Sequence, residues 1–522
     1  MFRLFNKSKP LLPSFSRVDL LVLTGGIGVF VALAASTVTK FSIWFDEAFG
    51  SFLIRFNFVD LTRYTASDVH PPLYYWLLKL WTTAFGNTEL GIRSMSIFFG
   101  AVTVVFAFLL MLRLFGRRAA YVSLLFLVLS PMFIRYGQEA RMYTLLTAIV
   151  VAATYILVHA TETKKRWAWV TYGVLVALGM LTQYFAALAW VAHWVWRFVT
   201  VRTPKEKFSQ SIRKLFDKQW LIAHGVAILL FAFWMPFLIM QFLTIQGYGF
   251  WIKPVSVSTV PDFLSDFLLF SDAGSVKSWV ALGVYFLVVV MVVLVVRTLR
   301  TLHGNQRNGY LLMISLVVVP MVLLLLMSMP PLRSAFVDRY LLTSVVFLSL
   351  LIGVTLVLSR RLTHVAVVSF IGAVTIALFI AGIVNQATIG NYNRSSNQSN
   401  NVRQLVEAVR AKAPAGTPIL ASTPWIFYEA VIYTTPDSPI YFVNETTQYR
   451  YGSLTALAED DTFKIKDVTA FGRQHPDLWV ISNLHDTPPK PLRSTWQQRE
   501  SIVINDDLTG KPLFQATHFS VE

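Results

Sequence analysis

The stretch KSWVALGVYFLVVVMVVLVVR, residues 277–297, decides the class of this protein. Between Lys277 and Arg297 lie 19 residues without a charge. About 20 apolar residues in an α-helix, at 1.5 Å each, cross the ~30 Å hydrocarbon layer of a bilayer. Runs of this kind recur along the chain. The reading gives about eleven spans, at roughly 17–37, 90–112, 118–135, 141–160, 166–183, 185–201, 220–243, 277–298, 309–329, 339–359 and 362–384. Composition agrees: the 522 residues are 55% hydrophobic, the mean hydropathy is +0.56 and only 14% are charged, against about 25% in a soluble domain. The expected fold class is a polytopic α-helical membrane protein.

The net charge of +17 would suit nucleic acid if it formed one patch. Instead it alternates between loops. One set holds Arg3, Lys7, Lys9 and Arg17, then Arg113/Arg117/Arg118, Lys164/Lys165/Arg166, the segment 202–218, Arg297/Arg300/Arg307 and Arg360/Arg361. The other set is mixed in sign and carries Asp46, Glu47, Asp68, Glu139, Asp262, Asp266, Asp272 and Asp338. By the positive-inside rule the basic set faces the cytoplasm. An odd span count then puts the N-terminus inside and the C-terminus outside, and nucleic acid is not an expected partner. No small-residue cleavage site follows the N-terminal cluster, so the first span is read as retained. The chain has no cysteine, which excludes disulfides and thiolate chemistry.

After about residue 385 the composition changes. NYNRSSNQSN, 391–400, reads as part of a polar linker over 386–400. NVRQLVEAVRAKA then shows a helical pattern, and TPILAS, SPIYFV, DLWVIS and SIVIN read as strands. Helix and strand signals separated by turn residues imply a small α/β domain. The expected organisation is a membrane module over 1–385, the linker, and an extracytoplasmic α/β domain over 401–522. Asn393, Asn397 and Asn444 fit the N-glycosylation pattern, which matters only in a host with that machinery.

Ionisable groups are scarce inside the spans and gather in four segments of the acidic loop set. These are FSIWFDEAFG at 41–50, SDVHPPLYYWLLKLW at 67–81, IRYGQEARMYTLL at 134–146 and MPPLRSAFVDRYLL at 329–342. Each has a plain reading. Asp46 and Glu47 could sit at a helix N-terminus, where carboxylates are favoured, with Trp44, Phe45 and Phe49 anchoring the loop at the membrane interface. Asp68 could cap a helix opened by Pro71 and Pro72, with Tyr74, Tyr75 and Trp76 as an aromatic belt. Glu139 and Arg141 could form a salt bridge in a tight turn. Arg333 and Arg339 could be snorkelling end charges. Jointly the segments suggest chemistry. A carboxylate can take the proton of an acceptor hydroxyl. Arginine can hold a phosphate through two hydrogen bonds and stabilise it as it leaves. Apolar spans can hold a lipid tail. That set suits group transfer from a membrane lipid phosphate to an acceptor at the outer face.

These segments resemble the GT-C membrane glycosyltransferases, in particular the dolichyl-phosphate-mannose-protein mannosyltransferase-like branch of bacterial polyprenyl-phosphate-sugar transferases. WFDEAFG looks like that family's first-loop Asp-Glu motif, and HPPLYYWLLKLW like its His-Pro-Pro-Leu-Tyr-Tyr segment. GQEARMYTL looks like the second-loop motif, and DRYLL like the later Arg-Tyr element. The resemblance covers roughly residues 17–360. It implies transfer of a sugar from a polyprenyl-phosphate donor to a protein, glycan or lipid acceptor outside a bacterial plasma membrane, with inversion. Asp46 then matches the base, Glu47 a supporting or acceptor-binding acid, Glu139 the second-loop acid and Arg339 the donor-phosphate ligand. Asp68 and His70 fall where some members place substrate or metal contacts. Tyr74, Gln138, Arg141, Arg333 and Tyr340 complete the expected substrate-binding set. No cofactor is required by these residues. A divalent cation stays open, since Asp68 and His70 are too few donors to define a metal. The aromatic stretch IQGYGFWIKP, 245–254, is either a lid or an interfacial segment. Two other functions compete: a lipid or sugar transporter, which would need a polar path through the spans, and a non-catalytic envelope assembly protein, which would tolerate loss of Asp46.

Overall fold

A computed structural model describes residues 10–202, 207–248, 252–271, 276–389, 400–443, 456–457, 462–484, 495–507 and 509–521. The three glycosylation patterns, Asp272, the first basic residues and most of the linker lie outside these residues, as does the middle of the 245–254 stretch. The chain forms two compact units, one of Met1–Ser36 with Ser96–Ala387 and one of Thr37–Met95 with Thr388–Glu522.

Helix occupies every one of the eleven apolar runs. Among the described residues eight helices are long and apolar enough to cross a membrane: Arg17–Ala35, Glu89–Phe115, Tyr143–Thr163, Lys218–Gln246, Ser278–Thr301, Gly304–Met327, Asp338–Ser359 and Val365–Thr388. The run read as 118–135 is a bent pair, Arg117–Val128 and Pro131–Gly137, meeting at 63°. The bend has a local cause. Pro131 has no N–H to continue the ladder and disfavours helical geometry in the residue before it, and Ser130 is accordingly extended at φ −65°, ψ 117°. The pair makes a ninth crossing if taken as one span. The remaining two runs give shorter helices, Arg166–Thr182 and Ala186–Val201. Eleven full crossings are therefore more than helix length supports here, because a run's apolar length does not fix where its helix breaks.

Close helix approach in the first unit uses small residues, as expected where water supplies no drive between apolar surfaces. At Gly353 a Cβ would lie 2.4 Å from the Ser123 backbone, and Ser123 Oγ donates to the Leu350 carbonyl at 3.0 Å. Several buried polar groups come with partners. Asp19 caps the first helix with Ser16 and is held by Arg117 at 3.0 Å and by the Tyr121 hydroxyl at 2.7 Å. His193, inside the helix Ala186–Val201, lies 3.0 Å from the Thr154 hydroxyl through Nε2 and 3.0 Å from the Tyr172 hydroxyl through Nδ1. Both nitrogens are engaged, so this ring is a satisfied core group.

The second unit carries a six-stranded sheet: β1 (Ile419–Ala421), β2 (Ile440–Val443), β3 (Lys464–Ile465), β4 (Asp477–Asn483), β5 (Trp496–Asn505) and β6 (Pro512–Val521). Their order is β3-β2-β1-β4-β6-β5. The first four strands are parallel, and β6 joins β4 and β5 antiparallel. Leu420, Leu478, Val480, Trp496 and Phe519 form a core on one face. The four strand-like runs are β1, β2, β4 and β5; β3 and β6 add to them. Residues 37–95 belong to this same unit. In the helix Phe45–Leu53, Phe45, Phe49 and Phe52 recur at i, i+4 and i+7, which places them on one face. That face packs edge-on against the helix Pro424–Val431: Phe45 meets Trp425 at 4.5 Å and Tyr428 at 5.6 Å, and Phe52 meets Tyr428 at 5.2 Å between ring centres. The aromatics read as an interface anchor thus have a protein partner.

Candidate active site

The first group lies in the second unit. Asp46 and Glu47 open the helix Phe45–Leu53, where the exposed N–H groups and the helix dipole favour negative charge. Their environments differ. Glu47 is fully buried, while Asp46 is partly exposed. Arg93 grips Glu47 as a fork, Nε to Oε1 at 2.9 Å and Nη2 to Oε2 at 2.6 Å. Glu47 also accepts from the Trp44 backbone N–H at 3.4 Å. Arg93 is itself fully buried, and its other donors reach the carbonyls of Val38 at 2.6 Å, Phe41 at 2.9 Å and Ser42 at 3.1 Å. A buried ion pair needs such geometry to offset desolvation.

Asp68 ends the helix Phe58–Ser67 instead of capping the next one. Its carboxylate lies 3.1 Å from His70 Nδ1. Pro71 and Pro72 precede the helix Leu73–Phe85, with Pro72 at the cap. Tyr74 and Tyr75 are fully buried with ring centres 5.3 Å apart, so they are core and not a belt. Trp76 donates to the Thr62 hydroxyl at 2.9 Å. Among the described residues no group of three or more His, Cys, Asp or Glu is placed to hold a metal ion. Asp68 with His70 remains a two-donor pair.

The second group lies in the first unit, on the turn between Pro131–Gly137 and Tyr143–Thr163 and on the 3₁₀ turn Asp338–Leu341. Gln138, Glu139, Arg141 and Arg339 are all buried. Glu139 pairs with Arg135, four residues earlier, at 3.4 Å. Its carbonyl accepts from Ser96 Oγ at 2.5 Å and from the Arg141 N–H at 2.7 Å, which fixes the tight turn. Gln138 donates to the Leu33 carbonyl at 3.4 Å and accepts from Gln386 at 3.1 Å. Tyr340 stacks on Phe185 at 4.2 Å and lies 6.4 Å from the Tyr143 ring. Tyr340 of the fourth motif thus meets Tyr143 of the third. Arg333 is exposed in the segment before the 3₁₀ turn.

Sequence reading passed over Arg93, Arg135 and Tyr143. For Arg93 a signal existed: an arginine entering a long apolar helix is rare unless paired. For Arg135 the signal was its i, i+4 spacing from Glu139.

Residues 69–240 match the dolichyl-phosphate-mannose-protein mannosyltransferase family. An uncharacterised protein of Aquifex aeolicus is 30% identical over 137 residues, 26% of this chain and 28% of that one. The undecaprenyl phosphate-alpha-4-amino-4-deoxy-L-arabinose arabinosyl transferase of Pseudomonas savastanoi is 30% identical over 125 residues, 23% of each chain. These matches span about a quarter of the curated relatives. The crystal structure of ArnT from Cupriavidus metallidurans bound to undecaprenyl phosphate shares the fold across 96% of this chain and 98% of that one, with a TM-score of 0.59 at 12% identity. The chain shares the fold of that structure, and its long apolar helices make it an integral membrane protein.

Proposed function

We propose that this protein moves a sugar from an undecaprenyl-phosphate-type donor to an acceptor outside the membrane, with inversion and with Asp46 as general base. One observation carries the assignment of roles. Glu47 is buried in the Arg93 fork while Asp46, one residue earlier on the same helix turn, is partly exposed. The adjacent carboxylates divide the work: Glu47 fixes the loop and Asp46 meets the acceptor. In the step proposed, the acceptor O–H gives its proton to Asp46 as its oxygen attacks the anomeric carbon. The bond from that carbon to the phosphate oxygen breaks, and the lipid phosphate leaves with the electron pair. Arg339 is the group assigned to its developing charge. The loop charges read above support an outward-facing site. The arabinosyl transferase relatives favour a 4-amino-4-deoxy-L-arabinose type of sugar over mannose. No step is assigned to a metal ion.

The test is turnover by purified wild type and Asp46→Asn with an undecaprenyl-phosphate-linked sugar donor. General-base catalysis supplies about 10²–10⁴-fold, so Asp46→Asn should lose at least ~100-fold at unchanged folded yield. Full turnover by Asp46→Asn would move the base elsewhere, to Glu139 first.

A further inference from the structure

Residues 38–44 form turns and irregular chain with no helix or strand ladder. Such backbone has no ladder partner: Val38, Phe41 and Ser42 are buried and must find hydrogen bonds among side chains, whereas Thr39 and Lys40 are exposed and have water as an alternative. Five successive carbonyls, from Val38 to Ser42, are taken by two arginines. Arg93 holds those of Val38, Phe41 and Ser42. The other two belong to Arg403, in the helix Val402–Arg410: its Nη1 donates to the Thr39 carbonyl at 3.1 Å and its Nη2 to the Lys40 carbonyl at 3.3 Å. The Arg403 backbone N–H donates to Ser42 Oγ at 3.0 Å, Ser42 Oγ donates to Gln404 at 3.1 Å, and the Ser42 N–H donates to the Asn400 carbonyl at 3.3 Å. Arg403 also bonds Glu89, as does the Tyr433 hydroxyl, which in turn accepts from the Ile43 N–H at 3.4 Å.

We infer that the C-terminal α/β domain is a working part of the active site, with Arg403 as the positioning residue that sets the 38–47 loop and through it Asp46. This rests on the reading of Asp46 as the base. The chemistry of the contact explains why arginine stands here. A planar guanidinium offers donors in a fixed fork and can serve two adjacent carbonyls and Glu89 together, whereas a lysine ammonium is a point charge on a flexible stem. The aromatic seam of Phe45, Phe49 and Phe52 on Trp425 and Tyr428 holds the other end of the same segment. The C-terminal domain thus holds the loop at 39–42 and, through the aromatic seam, at 45–52, while Arg93 holds it at Val38, Phe41, Ser42 and Glu47. Misplacing a catalytic group by about 1 Å can cost ~10²-fold, so a domain that makes no bond to substrate can still set the rate.

The experiment uses the full chain in lipid nanodiscs, with Arg403→Ala, Arg403→Lys, Asp46→Asn and a control in the sheet core, Val480→Ala. Two quantities are read per folded molecule: turnover split into kcat and donor KM, and amide hydrogen exchange over residues 38–47. Arg403→Ala should lower kcat at least tenfold with donor KM within about twofold, and should raise exchange across the loop. Arg403→Lys should fall between it and wild type. Val480→Ala should lose stability but keep kcat. Wild-type kcat in Arg403→Ala overturns the inference, whether or not the loop loosens, and so does an equal kcat loss in Val480→Ala. Failure of the base reading shows separately, as full turnover by Asp46→Asn.

Discussion

The two acid-bearing loops are held differently. The turn carrying Glu139 mixes local and distant holds. Arg135 sits four residues before it, and the Arg141 N–H closes on the Glu139 carbonyl. Ser96 Oγ, 43 residues away, reaches the same carbonyl, and Gln138 bonds Leu33 and Gln386. The loop carrying Asp46 is held by residues far away in the chain, with Arg93 46 residues beyond Glu47 and Arg403 more than 300 beyond Thr39. Local holds form with the turn itself. A loop fixed at long range forms only after two distant segments have folded, and its geometry depends on both. If Asp46 is the base, the chemistry has been placed on the loop more dependent on tertiary structure.

That contrast can be broken by removing one arginine from each loop. Arg93→Leu strands a fully buried glutamate and three carbonyls at once. Breaking a buried ion pair from one side costs about 3–5 kcal/mol, so this variant should lose most of its folded yield. The double variant Arg93→Leu/Glu47→Leu should recover part of that yield, because the stranded charge is gone while the carbonyls still lack donors. Arg135→Leu removes one partner of Glu139 but leaves the Ser96 and Arg141 contacts to the turn. It too breaks a buried ion pair from one side, about 3–5 kcal/mol, and should cost less than Arg93→Leu, which also loses three carbonyl bonds. Thermal unfolding of detergent-purified variants measures both. Equal losses would mean that the loops do not differ in how they are held.

The same contrast explains what could be read from the sequence. The apolar runs were legible because membrane crossing imposes a length and a composition within each run, and helix appears at all eleven. The bend at Pro131 was legible in principle from the proline alone. β1, β2, β4 and β5 were visible as apolar runs bounded by turn residues, whereas β3 is two residues long and β6, PLFQATHFSV, mixes Gln, Thr, His and Ser into its pattern. The four motifs were found, and the third and fourth do meet, through Tyr143 and Tyr340. The difference in burial between Asp46 and Glu47 was not legible, since it depends on Arg93. Nor was the grouping of 37–95 with the C-terminal residues, since no local pattern in FSIWFDEAFG names Trp425, Tyr428 or Arg403 as its partner.

A smaller effect sharpens the comparison on the other loop. Arg339 is buried at the start of a helix, beside Tyr340. If its fork binds the donor phosphate, Arg339→Lys keeps the charge and loses one of two hydrogen bonds. Donor KM should rise about tenfold, equivalent to ~1.4 kcal/mol, with the fold intact by unfolding midpoint. Unchanged donor kinetics would remove Arg339 from the phosphate site.

The smallest expected effect lies at the edge of the long-range network. Tyr433 donates its hydroxyl to Glu89, which Arg403 also holds. Burial, and next the charge of Glu89, push the phenol well above the ordinary tyrosine range, so it stays protonated at every working pH. Tyr433→Phe removes the bond to Glu89 and the long one from the Ile43 N–H but leaves Glu89 on Arg403, and should cost about 0.5–1.5 kcal/mol. The pH dependence follows from the direction of the shift. A group whose pKa is raised in the folded state contributes stability fully below its unfolded value, about 10 for tyrosine. That contribution is lost as pH climbs from there toward the folded value, because the unfolded state gives up its proton first. The stability difference between wild type and Tyr433→Phe should therefore be flat from pH 7 to 9 and shrink above pH ~10. Unfolding midpoints of the two proteins across that range measure it. A difference that stays flat above pH ~10 would mean that the phenol ionises alike in the folded and unfolded states, so that burial and Glu89 do not raise it.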